Sequence, residues 1–161
     1  MLRDVEISTA SAKPPTVGQF LASFDAFAQA VRRARGARAA DPDRGLTLSQ
    51  YGLLEPLADR ADARVSELAE QAGIAPSTAS RMLDALERRG LVARKREAQD
   101  RRGVAVALTR DGAEVLSREH EWLRAHQRDF YKSLPADERA LAPDLLLRLA
   151  ALIDELAVGP E

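Results

Sequence analysis

Between Val65 and Leu86 the apolar residues keep helical spacing on both sides of a single glycine, a pattern that fits two short helices meeting at a sharp turn. Val65 to Ala72 forms the first, with Leu68 and Ala69 inward. Ala69 is small, as a helix must be where another touches it. Gly73, four residues on, tolerates the left-handed backbone that ends the first helix, and Ile74 plugs the turn. Pro76 is favoured at a first helical position and opens a second helix to Arg89, before Gly90. Ala79, Met82, Leu83 and Leu86 form its inner stripe, which leaves Ser77, Thr78, Ser80, Arg81, Asp84 and Arg88 outside. Short hydroxyls near a helix N-terminus suit close approach to phosphates and base edges, and an arginine at position 81 can reach a guanine edge. The same residues also fit a plain helical hairpin with a polar outer face.

After Gly90 the period falls from helical to two. Val104, Val106 and Leu108 alternate with Ala105 and Ala107, which predicts a strand, and Leu91 to Arg96 is its expected partner. Glu97 to Gly103 reads as the hairpin loop between them. From Arg94 to Arg102 the hairpin carries a net charge of +3. A basic hairpin directly after a recognition helix is a wing, whose arginines enter a neighbouring minor groove. Arg94, Arg96, Arg101 and Arg102 are the candidate contacts, with Asp100 pairing locally to Arg102 and orienting the loop. Arg94 to Arg96 also suit a strand edge kept basic against unwanted pairing.

The flanks are helical. Phe20, Phe24, Phe27 and Val31 make one apolar face from Thr16 to about Arg35, and Gly36 to Gly45 reads as a loop. Ser49 to about Asp59 is expected to be a helix with Leu53, Leu54 and Leu57 inward, kinked or ended early by Pro56. Thr109 is an acceptable N-cap for a helix through Leu116, Leu123 and Phe130. A last helix, from about Ala136 to Ala157, presents Leu141, Leu145, Leu149, Leu152 and Leu156, with Pro143 expected to bend it or delay its start. One small winged domain cannot cover both terminal stripes, so a second copy is expected to. The fold class is thus mainly α with a small β-hairpin wing, a winged helix-turn-helix flanked by N- and C-terminal dimerisation helices. The expected divisions are a flexible arm over 1–15, a dimerisation helix and loop over 16–45, the DNA-binding domain over 46–110, and dimerisation helices over 111–161.

Several stretches in this order resemble the MarR family of bacterial regulators. They are Leu46-Thr47-Leu48-Ser49-Gln50-Tyr51, Val65-Ser66-Glu67-Leu68-Ala69, Ser77-Thr78-Ala79-Ser80-Arg81, and Leu86-Glu87-Arg88-Arg89-Gly90-Leu91-Val92. Asp100-Arg101-Arg102 and Leu108-Thr109-Arg110-Asp111-Gly112 complete the set. The resemblance covers roughly residues 17–157. It implies a homodimer with intertwined terminal helices holding two winged domains over a pseudo-palindromic operator. It further implies a repressor released by a small phenolic or anionic ligand bound between the dimerising and DNA-binding parts. Without cysteine, the peroxide-sensing branch is excluded.

Charge is distributed to match. Residues 1–63 carry net 0, residues 64–110 net +4, and residues 111–161 net −5, so a basic centre that attracts phosphate sits between neutral and acidic ends. The alternative is a winged-helix module that holds an acidic protein on the same face. The absence of cysteine also excludes disulfides, thiolate catalysis and Cys-based zinc sites. No membrane span or secretory signal is read, and a cytoplasmic location is expected. His120 and His126 are six residues apart, about 240° around a helix, and cannot share a metal on one face. Ser77 and Ser80 have no neighbouring histidine base. Neither enzymatic activity, nor a cofactor, nor a metal is therefore expected. Phe24, Phe27, Tyr51, Trp122 and Arg124 are candidates to line an effector site, although core or dimer packing explains each as well.

Overall fold

The computed structural model describes residues 15–36, 45–96 and 104–158. The N-terminal arm, the loop after Gly36, and the wing loop with Asp100, Arg101 and Arg102 lie outside the described residues.

Among the described residues there are six α-helices and three short strands. They are α1 (Val17–Gly36), α2 (Leu48–Leu54), β1 (Ala63–Arg64), α3 (Val65–Gln71), α4 (Pro76–Arg88), β2 (Val92–Arg96), β3 (Val104–Leu108), α5 (Arg110–Ser133) and α6 (Ala136–Val158). The strands form an antiparallel sheet in the order β1-β3-β2, with Val92 opposite Leu108 and Arg94 opposite Val106. The hairpin was legible in the sequence. Strand β1 was not, because two residues carry no periodicity; Ala63 pairs with Val106 and closes the other edge of β3.

The two prolines act differently, Pro56 ending its helix early as expected. The helix expected to reach Asp59 ends at Leu54, and the chain tightens into a 3-10 turn over Glu55–Ala58. Pro56 cannot donate to an i−4 carbonyl and its ring crowds it, so the turn relieves the clash. Pro143, in contrast, does not delay α6. The helix starts at Ala136 and runs through it, forgoing one bond to the Arg139 carbonyl within 23 residues.

The buried core lies between Leu46 and Leu116. Leu46, Leu53, Leu54, Leu68, Leu83, Leu86 and Val106 are its largest fully enclosed side chains. Thr47 caps α2 by accepting from the Gln50 amide at 3.0 Å, while the Gln50 side chain accepts from the Thr47 amide at 3.0 Å. Gly73 and Gly90 adopt φ of +62° and +73°, the left-handed conformation that lets α3 and α4 end abruptly. Ala69 and Ala79 are both buried where α3 meets α4, as the helix-turn-helix requires.

The end of α4, the start of β2 and the start of α5 are stitched together. The Leu91 amide donates to Leu86 O at 3.0 Å, and the Thr109 amide donates to Leu91 O at 3.1 Å. The Thr109 hydroxyl donates to Gly90 O at 2.6 Å and accepts from the Gly112 amide at 3.0 Å, which caps α5. Gly112 is buried on this junction, and a Cβ there would run into the Leu91 carbonyl. Backbone on backbone cannot yield as a side chain can. Gly112→Ala is therefore expected to destabilise the protein by about 2–3 kcal/mol. Gly18→Ala, whose added Cβ would meet nothing nearer than the Thr16 hydroxyl at 3.9 Å, should leave stability equal or slightly raised. Chemical denaturation compares the two, and an unchanged midpoint for Gly112→Ala would mean that α5 need not sit on Leu91.

Candidate nucleic-acid interface and effector cleft

Helix α4 is two-faced. Ala79, Leu83 and Leu86 are buried without measurable exposure, and Met82 packs against the same core. On the opposite side Ser77, Arg81, Asp84 and Arg88 fall in one row at steps of four, three and four. Pro76, Ser77, Arg81 and Arg88 are exposed, while Thr78 and Ser80 are half-buried beside them. Among the described residues, neither Arg81 nor Arg88 has an ion-pair or hydrogen-bond partner, so both guanidinium groups face water. The N-cap is Ala75, whose side chain offers no acceptor to the first turn. The positive end of the helix dipole is thus left to solvent beside the Ser77 and Thr78 hydroxyls.

Arg94 is placed differently from its neighbours in the hairpin. Its Nη2 lies 2.6 Å from Asp84 Oδ1 and its Nη1 donates to Glu87 Oε2 at 2.8 Å. Its backbone amide donates to Glu87 Oε1 at 3.2 Å. The hydrogen bond to Asp84, with both carboxylates alongside, holds the guanidinium protonated beyond its ordinary range. Lys95 is exposed at the strand edge.

Of the five effector candidates, Tyr51 and Arg124 meet in one cleft. It holds about 850 Å³ between α2, the 3-10 turn and α5, floored by Leu57 and Leu116. Arg60, Arg110, Glu55 and Asp59 stand at its edges and Thr109 on its wall. A cleft of this volume fits a small organic molecule. Trp122 lines a separate apolar groove with Leu48, Leu123 and Phe130, its ring 4.2 Å from that of His126. Phe24 and Phe27 line neither; Phe24 packs beside Phe20 at 6.3 Å, and Phe27 is exposed.

His120, which the sequence offers only as a metal candidate, stands between Tyr51 and Arg124. The Tyr51 hydroxyl donates to Glu55 Oε1 at 3.0 Å, so its oxygen accepts from His120 Nδ1 at 2.8 Å. That places the imidazole proton on Nδ1 and leaves Nε2 to accept from Arg124 Nε at 3.5 Å. The chain Arg124, His120, Tyr51, Glu55 thus runs in one direction from α5 to the end of α2. The i, i+4 spacing of His120 and Arg124 was the available signal.

Burial, then the hydrogen bond to Glu55, pushes the Tyr51 phenol up to about 12. A folded pKa above the unfolded value of about 10 favours folding below pH 10 and ceases to do so as pH rises toward 12. Stability is expected to be flat in this component to about pH 9 and to fall between about pH 10 and 12. Tyr51→Phe should remove that part of the fall. The difference in phenolate absorbance between wild type and variant checks it, and a Tyr51 midpoint near 10 would exclude the closed hydrogen-bond chain.

Residues 46–104 match the MarR family. The chain is 32% identical over 104 residues to the transcriptional regulator HosA of Escherichia coli O127:H6, covering 65% of this chain and 77% of HosA. It is 37% identical over 68 residues to the HTH-type transcriptional repressor MdtR of Bacillus subtilis, covering 42% of this chain and only 44% of MdtR. Among solved structures, Streptococcus pneumoniae FabT in complex with DNA has the same fold, with TM-score 0.68 at 18% identity over 87% of this chain and 96% of FabT. PcaV of Streptomyces coelicolor, in complex with its natural ligand, superposes with TM-score 0.61 at 26% identity over 89% of this chain and 98% of PcaV. With its two-faced α4, its hairpin and its long terminal helices, the chain belongs to the MarR family of transcription regulators.

Proposed function

We propose that this regulator is a cytoplasmic homodimer that binds a pseudo-palindromic operator in duplex DNA and represses by occluding a promoter. The observation that carries the reading is the outer face of α4, where Arg81 and Arg88 stand unpaired beside Ser77, Thr78, Ser80 and an uncapped helix N-terminus. Ser77, Thr78, Ser80 and Arg81 enter the major groove, with Pro76 setting the start of the helix. Arg88, Arg96, Arg101 and Arg102 face phosphate or the minor groove, and Asp100 orients Arg102. Residues 46–110 form the DNA-binding domain, and residues 16–45 and 111–161 the dimerisation part.

Dimerisation is supported by the surface that one chain leaves uncovered. Phe20, Phe27, Leu141, Leu145, Leu152 and Leu156 are among the exposed apolar side chains, all on terminal helices. We assign Phe24, Phe27 and Trp122 to that interface. The effector, a small phenolic or anionic molecule, is assigned to the cleft of Tyr51 and Arg124, where arginines at 60, 110 and 124 suit a negative group. No helix among the described residues is long and apolar enough to cross a membrane.

Selection of duplexes from a random library near 0.15 M salt tests the reading. An inverted repeat with half-sites about one helical turn apart, ~34–36 Å, is the expected product. Arg81→Ala should cost about 1–3 kcal/mol and relax one base position, while Arg102→Ala should weaken all sequences and lower the salt slope by about 1. No enriched sequence, with binding that only fades as salt rises, would favour a module for an acidic protein instead. Sedimentation tests the dimer. Leu145→Asp with Leu152→Asp, on one face of α6, should give monomers that have lost about 10³–10⁴-fold in operator affinity through lost avidity. A variant that remains dimeric would place the interface elsewhere.

A further inference from the structure

Resting on the DNA-binding reading above, we propose that Arg94 is a positioning residue and not a DNA contact: its three-point bond to Asp84 and Glu87 fixes the root of the wing against the recognition helix and shields two carboxylates from the phosphate backbone.

Three observations carry this. First, Asp84 and Glu87 lie one turn apart, and Asp84 belongs to the same outward row as Arg81 and Arg88. Left bare, two carboxylates there would repel the phosphates that this face is built to approach. Second, Arg94 meets both with separate nitrogens at 2.6 and 2.8 Å, and its own amide donates to Glu87 at 3.2 Å. A forked guanidinium held at two ends and a backbone amide held beside it fix the strand in direction as well as distance. Third, the Arg94 side chain is 30% exposed and sits at the α4–β2 junction, whereas Arg81 and Arg88 are exposed and have no partner among the described residues. The three basic candidates of the hairpin that follow, Arg96, Arg101 and Arg102, are all carried from this root.

The clamp adds little to global stability, because partly exposed ion pairs rarely do. Its effect is on binding, and the sign of one substitution separates the readings. Glu87→Ala deletes a negative charge next to the phosphates and puts the best helix former on α4. A direct phosphate contact by Arg94 predicts tighter DNA binding for this variant; the clamp predicts weaker binding, by about fivefold. Arg94→Met should weaken binding about tenfold with the salt slope unchanged, whereas a lost phosphate contact lowers the slope by about 0.9. The double variant should be no weaker than Arg94→Met alone, since both substitutions open the same clamp.

The experiment titrates wild type and the three variants with the duplex recovered by selection and with a random duplex of equal length, between 0.05 and 0.2 M salt. Unfolding curves confirm that each variant is folded. Should Arg94→Met not fold, the direction of change for Glu87→Ala still decides. Tighter binding by Glu87→Ala, or additive effects with a lower salt slope in Arg94→Met, would overturn the proposal. Wild type that binds neither duplex overturns the DNA-binding reading itself, and with it the role of the clamp.

Discussion

The contact of the first turn of α5 with the Gly90–Leu91 backbone is the constraint on which the rest of the molecule depends. At this point the recognition helix ends, the wing begins and the long helix leaves the domain. Two carbonyls are shared among the three elements: Gly90 O takes the Thr109 hydroxyl and Leu91 O takes the Thr109 amide. Gly112 makes the approach possible by presenting no side chain to Leu91. The Thr109 amide bond to Leu91 and the close approach at Gly112 join the start of α5 to the segment that follows α4 through backbone, and the Thr109 hydroxyl adds a side-chain bond to Gly90. In the proposed dimer, such a joint would link α5 on the dimerising side to α4 on the DNA-binding side.

Around that joint the charges are arranged by function. Arg89 reaches back from the end of α4 to Gly45 O at 2.9 Å, and Glu119 on α5 accepts from the Leu46 amide at 3.3 Å. Both bonds tie the N-terminal entry of the domain to its other elements, and both use charged groups at modest cost in desolvation. Arg94 ties the wing in the same manner. Arg81 and Arg88, in contrast, meet no partner among the described residues. Consecutive arginines thus divide into those that build the domain and those that stay available, and only the structure separates them. In the sequence Arg94 and Arg96 look alike, because nothing in the spacing reveals that Asp84 and Glu87, ten and seven residues earlier, lie under one of them.

Much of the fold was legible because each element follows a local rule. Gly73, Pro76 and the stripe through Ala79, Leu83 and Leu86 bound the helix-turn-helix with no knowledge of the rest of the chain. Thr109 marked the start of α5 by its capping oxygen. What escaped depends on contacts distant in sequence. Strand β1 exists only because β3 has an open edge for Ala63 to join. His120 joins Tyr51 across 69 positions, and no period links the two. Pro143 does not delay α6, which has already begun at Ala136: the helix's other residues keep their own bonds around the one that proline forgoes.

The cleft and the joint are contiguous. Leu108, Thr109 and Arg110 line the cleft, and Thr109 is the residue whose hydroxyl holds Gly90. On the opposite wall, the hydrogen-bond chain from Arg124 to Glu55 spans from α5 to the 3-10 turn that Pro56 creates. Under the proposed effector reading, an anionic molecule seated there would meet Arg124 on one side and Thr109 on the other. Coupling of this kind requires that the ligand bind one arrangement of α5 better than the other. Both walls are anchored on α5, so a ligand held there would gain or lose contacts with any change in that helix's position.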